Sequence, residues 1–324
     1  MAANRKLLTR REVLPLAGYG VMAGVVGYQL NEHRPVAGKS PVAVLRATNY
    51  EAELADVIYR GAIETGLNFF GKRVLIKPNL VEFDRDRPIN TDPRFVTAAV
   101  EAIRKLGAAE VWIGEGPGHR RDTWGISEEA DYLKLIPGFE KLFVDLNRDD
   151  VASVRAFDGE EEMFFAKTVL AADLIVSLAK MKTHHWAGAT LSMKNFFGLV
   201  PGCVYGWPKN FLHYKGISRS ILELNRLFPR SIAIVDGIMA MEGNGPIQGT
   251  GVPFGAIVMG PDKVAVDATC CRMMGLNPGK IDYLAQATHL GYWEEHYIDQ
   301  RGERPTSLAR RFKVVDEFAH LRLV

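Results

Sequence analysis

The chain has 324 residues, 47% of them hydrophobic and 24% charged, with a formal net charge of +2. This is the make-up of a globular protein long enough for one large or two modest domains. A balance so near neutral, with no lysine- or arginine-rich tract, argues against a nucleic-acid partner. The three cysteines, Cys203, Cys270 and Cys271, form no CxxC pair. The chain alone is therefore expected to hold neither an iron–sulfur cluster nor a structural zinc, and no disulfide framework follows. Cys270 and Cys271 read as small apolar core residues of a helix.

The first 40 residues stand apart from the fold. Arg5 and Lys6 precede Thr9-Arg10-Arg11-Glu12-Val13-Leu14, and an uncharged, glycine-rich run extends from Leu14 to Leu30. A basic start, paired arginines and a moderately apolar run resemble a twin-arginine export signal. That resemblance implies passage through the twin-arginine export machinery to the periplasm or cell envelope. The apolar run is at the lower limit for spanning a bilayer. Cleavage after Ala37 and retention as a membrane anchor both fit, although Pro35 sits poorly at the third position before the cut.

Residues 41–324 read as a single domain in which strands and helices alternate. Val42–Arg46 reads as a strand and Glu51–Leu67 as a helix, followed by a strand at Arg73–Lys77 that Pro78 stops. Pro93–Leu106 has the pattern of a helix with Asp92 as its N-cap, and Glu110–Ile113 is a third strand. Short strands are expected at Leu142–Asp145, Val154–Phe157 and Phe164–Leu170, as an antiparallel extension. The pattern resumes with strands at Leu174–Leu178, Ser231–Val235 and Ala256–Met259, and helices at Ile217–Phe228, Lys263–Met274 and Pro278–Leu290. A last strand falls at Phe312–Val315. The order predicts an α/β protein: a mainly parallel sheet flanked by helices, as one continuous sheet or as two α/β lobes with a cleft between them.

Polar groups collect at strand ends, where open α/β sheets build their sites. Lys77 and Asn79 flank Pro78 at the end of the second strand, and Glu115-Gly116-Pro117-Gly118-His119 follows the third. The densest cluster lies in KMKTHHWAGATLSMKNFFGLVPG, residues 180–202. There Lys180, Lys182 and His184 alternate as on one face of an extended stretch, and Lys194 and Asn195 precede two phenylalanines. Cations this close repel one another unless an anion compensates them, and a lysine among cations has a lowered pKa. Asp236 and Glu242 could share a divalent metal or balance the lysines. Asp267, inside a helix, needs a partner, for which a lysine of the central segment is the expected candidate. No GxSxG elbow, HExxH helix or Ser-His-Asp order is present, which disfavours hydrolysis by those routes.

Several of these stretches together resemble one family, domain of unknown function 362. They are LIKPNLV (75–81), Thr91-Asp92-Pro93, IGEGPG (113–118), KMKTH (180–184), TLSMKNFFGLVPG (190–202), His213, IVDGIMAMEGNGP (234–246) and DKVAVDA (262–268). Many members of that family carry a ferredoxin-type cysteine module for [4Fe–4S] clusters, which this chain lacks. A fainter similarity is to the lactate racemase family, in the order of His185-Trp186-Ala187-Gly188, Lys194 and Pro201-Gly202. Its paired glycines are replaced here by Leu191 and Ser192, so the likeness extends to a two-lobed fold and not to function.

The sequence thus predicts an exported enzyme for a small carboxylate or phosphate substrate. Lys77, Lys180 and Lys182 would hold the anion, with His213 as a further contact. Asn79 and Asn195 would orient it. His184 and Lys194 would exchange protons, in an isomerase- or epimerase-like reaction. Two alternatives are a non-catalytic cofactor-binding or maturation protein, and a redox subunit working with a partner iron–sulfur protein.

Overall fold

A computed structural model describes residues 38–51 and 53–323; residues 1–37 of the expected 40-residue leader lie outside them, and Ser40 already belongs to the first strand. Eleven strands form: β1 (Ser40–Arg46), β2 (Arg73–Pro78), β3 (Glu110–Glu115), β4 (Phe143–Asp145), β5 (Val151–Ala156), β6 (Glu161–Ala166), β7 (Leu174–His184), β8 (Gly188–Thr190), β9 (Ser231–Glu242), β10 (Thr250–Gly260) and β11 (Ile298–Gly302). Nine build one continuous sheet in the order β11-β1-β10-β9-β7-β2-β3-β4, with β8 paired to the end of β7. The pairs from β9 through β7, β2 and β3 to β4 are parallel, as is β1–β11, whereas β10 is antiparallel to both its neighbours.

Four long helices cover the sheet: α1 (Leu54–Glu64), α2 (Pro93–Lys105), α3 (Ile217–Leu227) and α4 (Lys263–Met273). Alternation along the strands divides the core in two. Val176 and Leu178 of β7, with Ile232 and Ile234 of β9, pack with α1 and α2. Ala179, Met181, Ala233 and Val235 face the opposite way, toward α4 and Ile221 of α3. Asp92 caps α2 as expected, accepting the Arg94 amide, and Pro93 occupies its first turn. All of α4 except Arg272 is buried, so its one buried carboxylate, Asp267, must find internal partners.

Four sequence expectations are corrected. The strand expected at Phe164–Leu170 ends at Ala166, and Lys167–Ala171 turns into a short helix. β5 and β6 form a separate two-stranded hairpin, while β4 joins the main sheet in parallel. Pro278–Leu290 is three short helical turns rather than one helix. Phe312–Val315 makes only an isolated bridge, Val314 to Gly243, and the last strand is instead β11, whose sequence IDQRG has no apolar alternation to announce it.

Candidate anion-binding cavity

The strand expected at 174–178 does not stop at Leu178. It runs on to His184 as an eleven-residue strand, every residue of it buried. Lys180, Lys182 and His184 therefore continue the face begun by Val176 and Leu178, at the carboxyl end of a central strand. Beside it β2 ends at Lys77-Pro78, and β3 ends at Glu115. From the β2–β7 pair the chain runs outward both ways, to β3 and β4 on one side and to β9 and β10 on the other. Such a reversal leaves a crevice at the strand ends. A cavity of about 830 Å³ opens there, and Lys77, Asn79, Glu115, Lys182, His184, Lys194, Asn195 and His213 all contribute to its wall.

Hydrogen bonds separate these groups into two kinds. The Lys77 ammonium donates to Glu115 Oε2 (2.7 Å), the Pro78 carbonyl (2.9 Å) and Asn195 Oδ1 (3.1 Å), which engages all three of its hydrogens. Lys182 donates to Asn79 Oδ1 (2.7 Å) and to the carbonyls of Ile89 (2.8 Å) and Pro246 (3.3 Å). Its pKa is held well below the ordinary lysine value, first by burial and then by the charges of Lys180 and Lys194. Burial also lowers Lys77, which Glu115 opposes. Asn195 accepts from Asn79 Nδ2 (3.2 Å) and donates to the Lys77 carbonyl (3.0 Å) and Ser177 Oγ (3.2 Å). These residues form a closed, mutually hydrogen-bonded floor with few open donors. Gly198 packs over it: a Cβ there would run into Glu115 Oε1 and the Lys77 ammonium.

The uncommitted groups lie above this floor. Among the described residues Lys194 Nζ makes no hydrogen bond and sits 3.4 Å from the centre of the Phe197 ring. Burial, helped by the Lys77 charge, brings its pKa down to about 7. His184 Nδ1 accepts the amides of Trp186 (2.9 Å) and Ala187 (3.2 Å), which places the ring hydrogen on Nε2 and makes a protonated ring costly. Burial first and Lys194 next hold its pKa well below the ordinary histidine value. His184 is thus a fixed neutral donor, not the proton-exchanging partner expected from the sequence. The Thr190 hydroxyl, on the cavity wall opposite Lys182 in the β7–β8 pair, is buried without a partner among the described residues. His213 Nδ1 is likewise buried and unpartnered, and burial, then Lys194, lowers its pKa while the Lys209 carbonyl counters in part.

Three sequence assignments are corrected by what the side chains touch. Lys180 lies outside the cavity wall, directly across from Asp236 in the β7–β9 register, with their charged groups 2.8 Å apart. Tyr50, which the sequence reading missed, donates to Asp236 and accepts from Lys180 (2.9 Å). Glu242 does not join Asp236 in a metal site. It accepts the Lys313 amide (2.9 Å) and so ties down the C-terminal segment. Among the described residues no cluster of three or more His, Cys, Asp or Glu is placed to hold a metal ion. Asp267 is anchored by Ser192 and Met193 and not by a central-segment lysine: it accepts the two amides (2.9 and 3.0 Å) and the Ser192 hydroxyl (2.5 Å). Burial raises its pKa to about 7.

Lys209 was also missed. It is buried in the cavity wall, donates to the Gly116 carbonyl (2.5 Å), and has its pKa lowered to about 7 by burial. The stretch from 203 to 216 that carries it folds into two single turns of helix, so no periodicity marked it.

Fold and cavity together define an α/β protein with a lysine- and histidine-lined cavity at the carboxyl ends of its central parallel strands. Residues 74–272 match the family described as domain of unknown function (DUF362), and the chain belongs to that family. It is 30% identical over 262 residues to a thylakoid-associated protein of Synechocystis sp., a match covering 77% of this chain and 79% of the relative. Among solved structures it is similar to the lactate racemase apoprotein of Thermoanaerobacterium thermosaccharolyticum, with 14% identity and a TM-score of 0.46. That match spans 74% of this chain and 57% of the racemase chain.

Proposed function

We propose that this is an exported enzyme that binds a small carboxylate or phosphate and transfers a proton at carbon, as an isomerase or epimerase does. The observation that carries the reading is Lys194: an enclosed ammonium with no hydrogen-bond partner among the described residues, its pKa brought to about 7. A lysine poised near neutrality can accept and return a proton at physiological pH. Beside it, His184 Nε2–H and the Thr190 hydroxyl are donors for the substrate's anionic or carbonyl oxygen, stabilising charge that develops as the carbon loses its proton. The saturated floor of Lys77, Lys182, Asn79 and Asn195 keeps those groups in place and makes the cavity attractive to an anion. The twin-arginine-like leader supports export, and the thylakoid association of the Synechocystis relative accords with delivery to a membrane-bounded compartment.

The test is solvent exchange. A panel of small carboxylic and phosphorylated acids is incubated with the protein in deuterium oxide and followed by proton NMR. At least one acid should lose a C–H signal with the wild type and keep it with Lys194→Met, whose fold is checked by circular dichroism. Exchange that survives the substitution removes Lys194 from the chemistry. Acids that bind yet never exchange refute proton transfer at carbon.

A further inference from the structure

Resting on the reading of the cavity as an anion site, we propose that its ligand carries two acidic groups, one at the Lys194–His184–Thr190 end and the other at Lys209. The geometry of Lys209 carries the argument. Its ammonium group is enclosed, yet the Gly116 carbonyl is its one hydrogen-bond acceptor among the described residues, so two N–H bonds are left for something in the cavity. Lys77 and Lys182, equally buried, have three acceptors each. On the His184 side the Thr190 hydroxyl is a second buried group without a partner among the described residues.

These ends are distinct. His184 closes β7, six residues beyond the last β7 residue paired with β2, while Lys209 is fastened to Gly116, the residue that follows β3. From Leu178 to His184 the strand rises roughly 20 Å, past the level at which β2 ends. Leu80, Phe197 and Leu212 add apolar wall to the same cavity. A volume of about 830 Å³ far exceeds what one carboxylate head needs. The chemistry therefore favours an apolar or weakly polar body with an acidic group at each end.

Calorimetric titration of the full-length protein tests this with α,ω-dicarboxylates from succinate to suberate, the corresponding bisphosphonates, and the straight-chain monoacids of each series. At least one diacid should bind about tenfold or more tightly than its monoacid, the value of one added charge-assisted contact. Lys209→Met should bring that diacid down to the affinity of the monoacid. Should the substitution prevent folding, because Lys209 also pins Gly116, the wild-type series still decides. Equal affinity for diacids and monoacids overturns the two-headed ligand while leaving a single-anion site intact. Binding of neither class refutes the anion site itself, and this proposal with it.

Discussion

Removing an ammonium group from water costs several kcal/mol unless partners replace the solvent, and six lysines are buried among the described residues. They meet that cost differently. Lys77 and Lys180 have carboxylates, and Lys182 has neutral oxygens. Lys263 lies against Ser231 Oγ and the Phe196 ring. Lys194 and Lys209 have few partners among the described residues, and burial lowers their pKa to about 7, as it does that of Lys263. The consequence for Lys194 can be signed. Its folded pKa of about 7 lies below the ordinary lysine value near 10.4, so the unfolded chain binds more protons between those limits. Stability from this group is lowest below pH 7 and recovers as pH rises toward 10. Lys194→Met, lacking the group, should be more stable than wild type by about 2–4 kcal/mol at neutral pH, with the gap closing toward pH 10. Denaturant unfolding of both proteins across that range measures it; a constant gap contradicts the lowered pKa. Glu115→Gln acts the other way. It leaves Lys77 buried without a counter-charge and should cost about 3 kcal/mol in the same assay.

Elements bring together what the residues cannot. The 190–195 segment is held to α4 by Asp267, which accepts two amides and a hydroxyl from Ser192 and Met193. Asp267→Asn substitutes an NH2 group for one accepting oxygen and sets it against a backbone N–H. Thermal unfolding should show a loss of about 2 kcal/mol, close to that of Asp267→Ala; an Asn variant as stable as wild type would show that the carboxylate is dispensable. The sequence made part of this arrangement legible. Period-two alternation put Lys180, Lys182 and His184 on one face, and the structure has them there on a strand longer than the apolar run announced. What alternation could not say is which lysine meets the cavity. Asp236 neutralises Lys180 from β9, 56 positions along the chain, and only the register of β7 against β9 reveals it. The identity of the Asp267 partners was hidden likewise, because backbone amides leave no signature in sequence.

At the scale of the whole molecule, the α/β class and the alternation of the first strands and helices could be read from hydrophobic period and caps, since those signals are local. The C-terminal part could not. β11 lacks apolar alternation, Phe312 joins the core from outside any regular element, and Leu321 is the one buried residue of a short 3-10 helix, Asp316–Leu321. The export reading belongs to this scale too. Replacing Arg10 and Arg11 together by lysine should hold the protein in the cytoplasm, as cell fractionation would show; unchanged export would assign delivery to another route.

The most direct measurement is the titration of the Lys194 side chain by nitrogen-15 NMR, with the signal assigned by its loss in Lys194→Met. A midpoint near 7 is expected in the ligand-free protein, moving upward when a carboxylate or phosphate occupies the cavity, because an anion stabilises the ammonium form. An ordinary lysine midpoint near 10 that no anion displaces would contradict it.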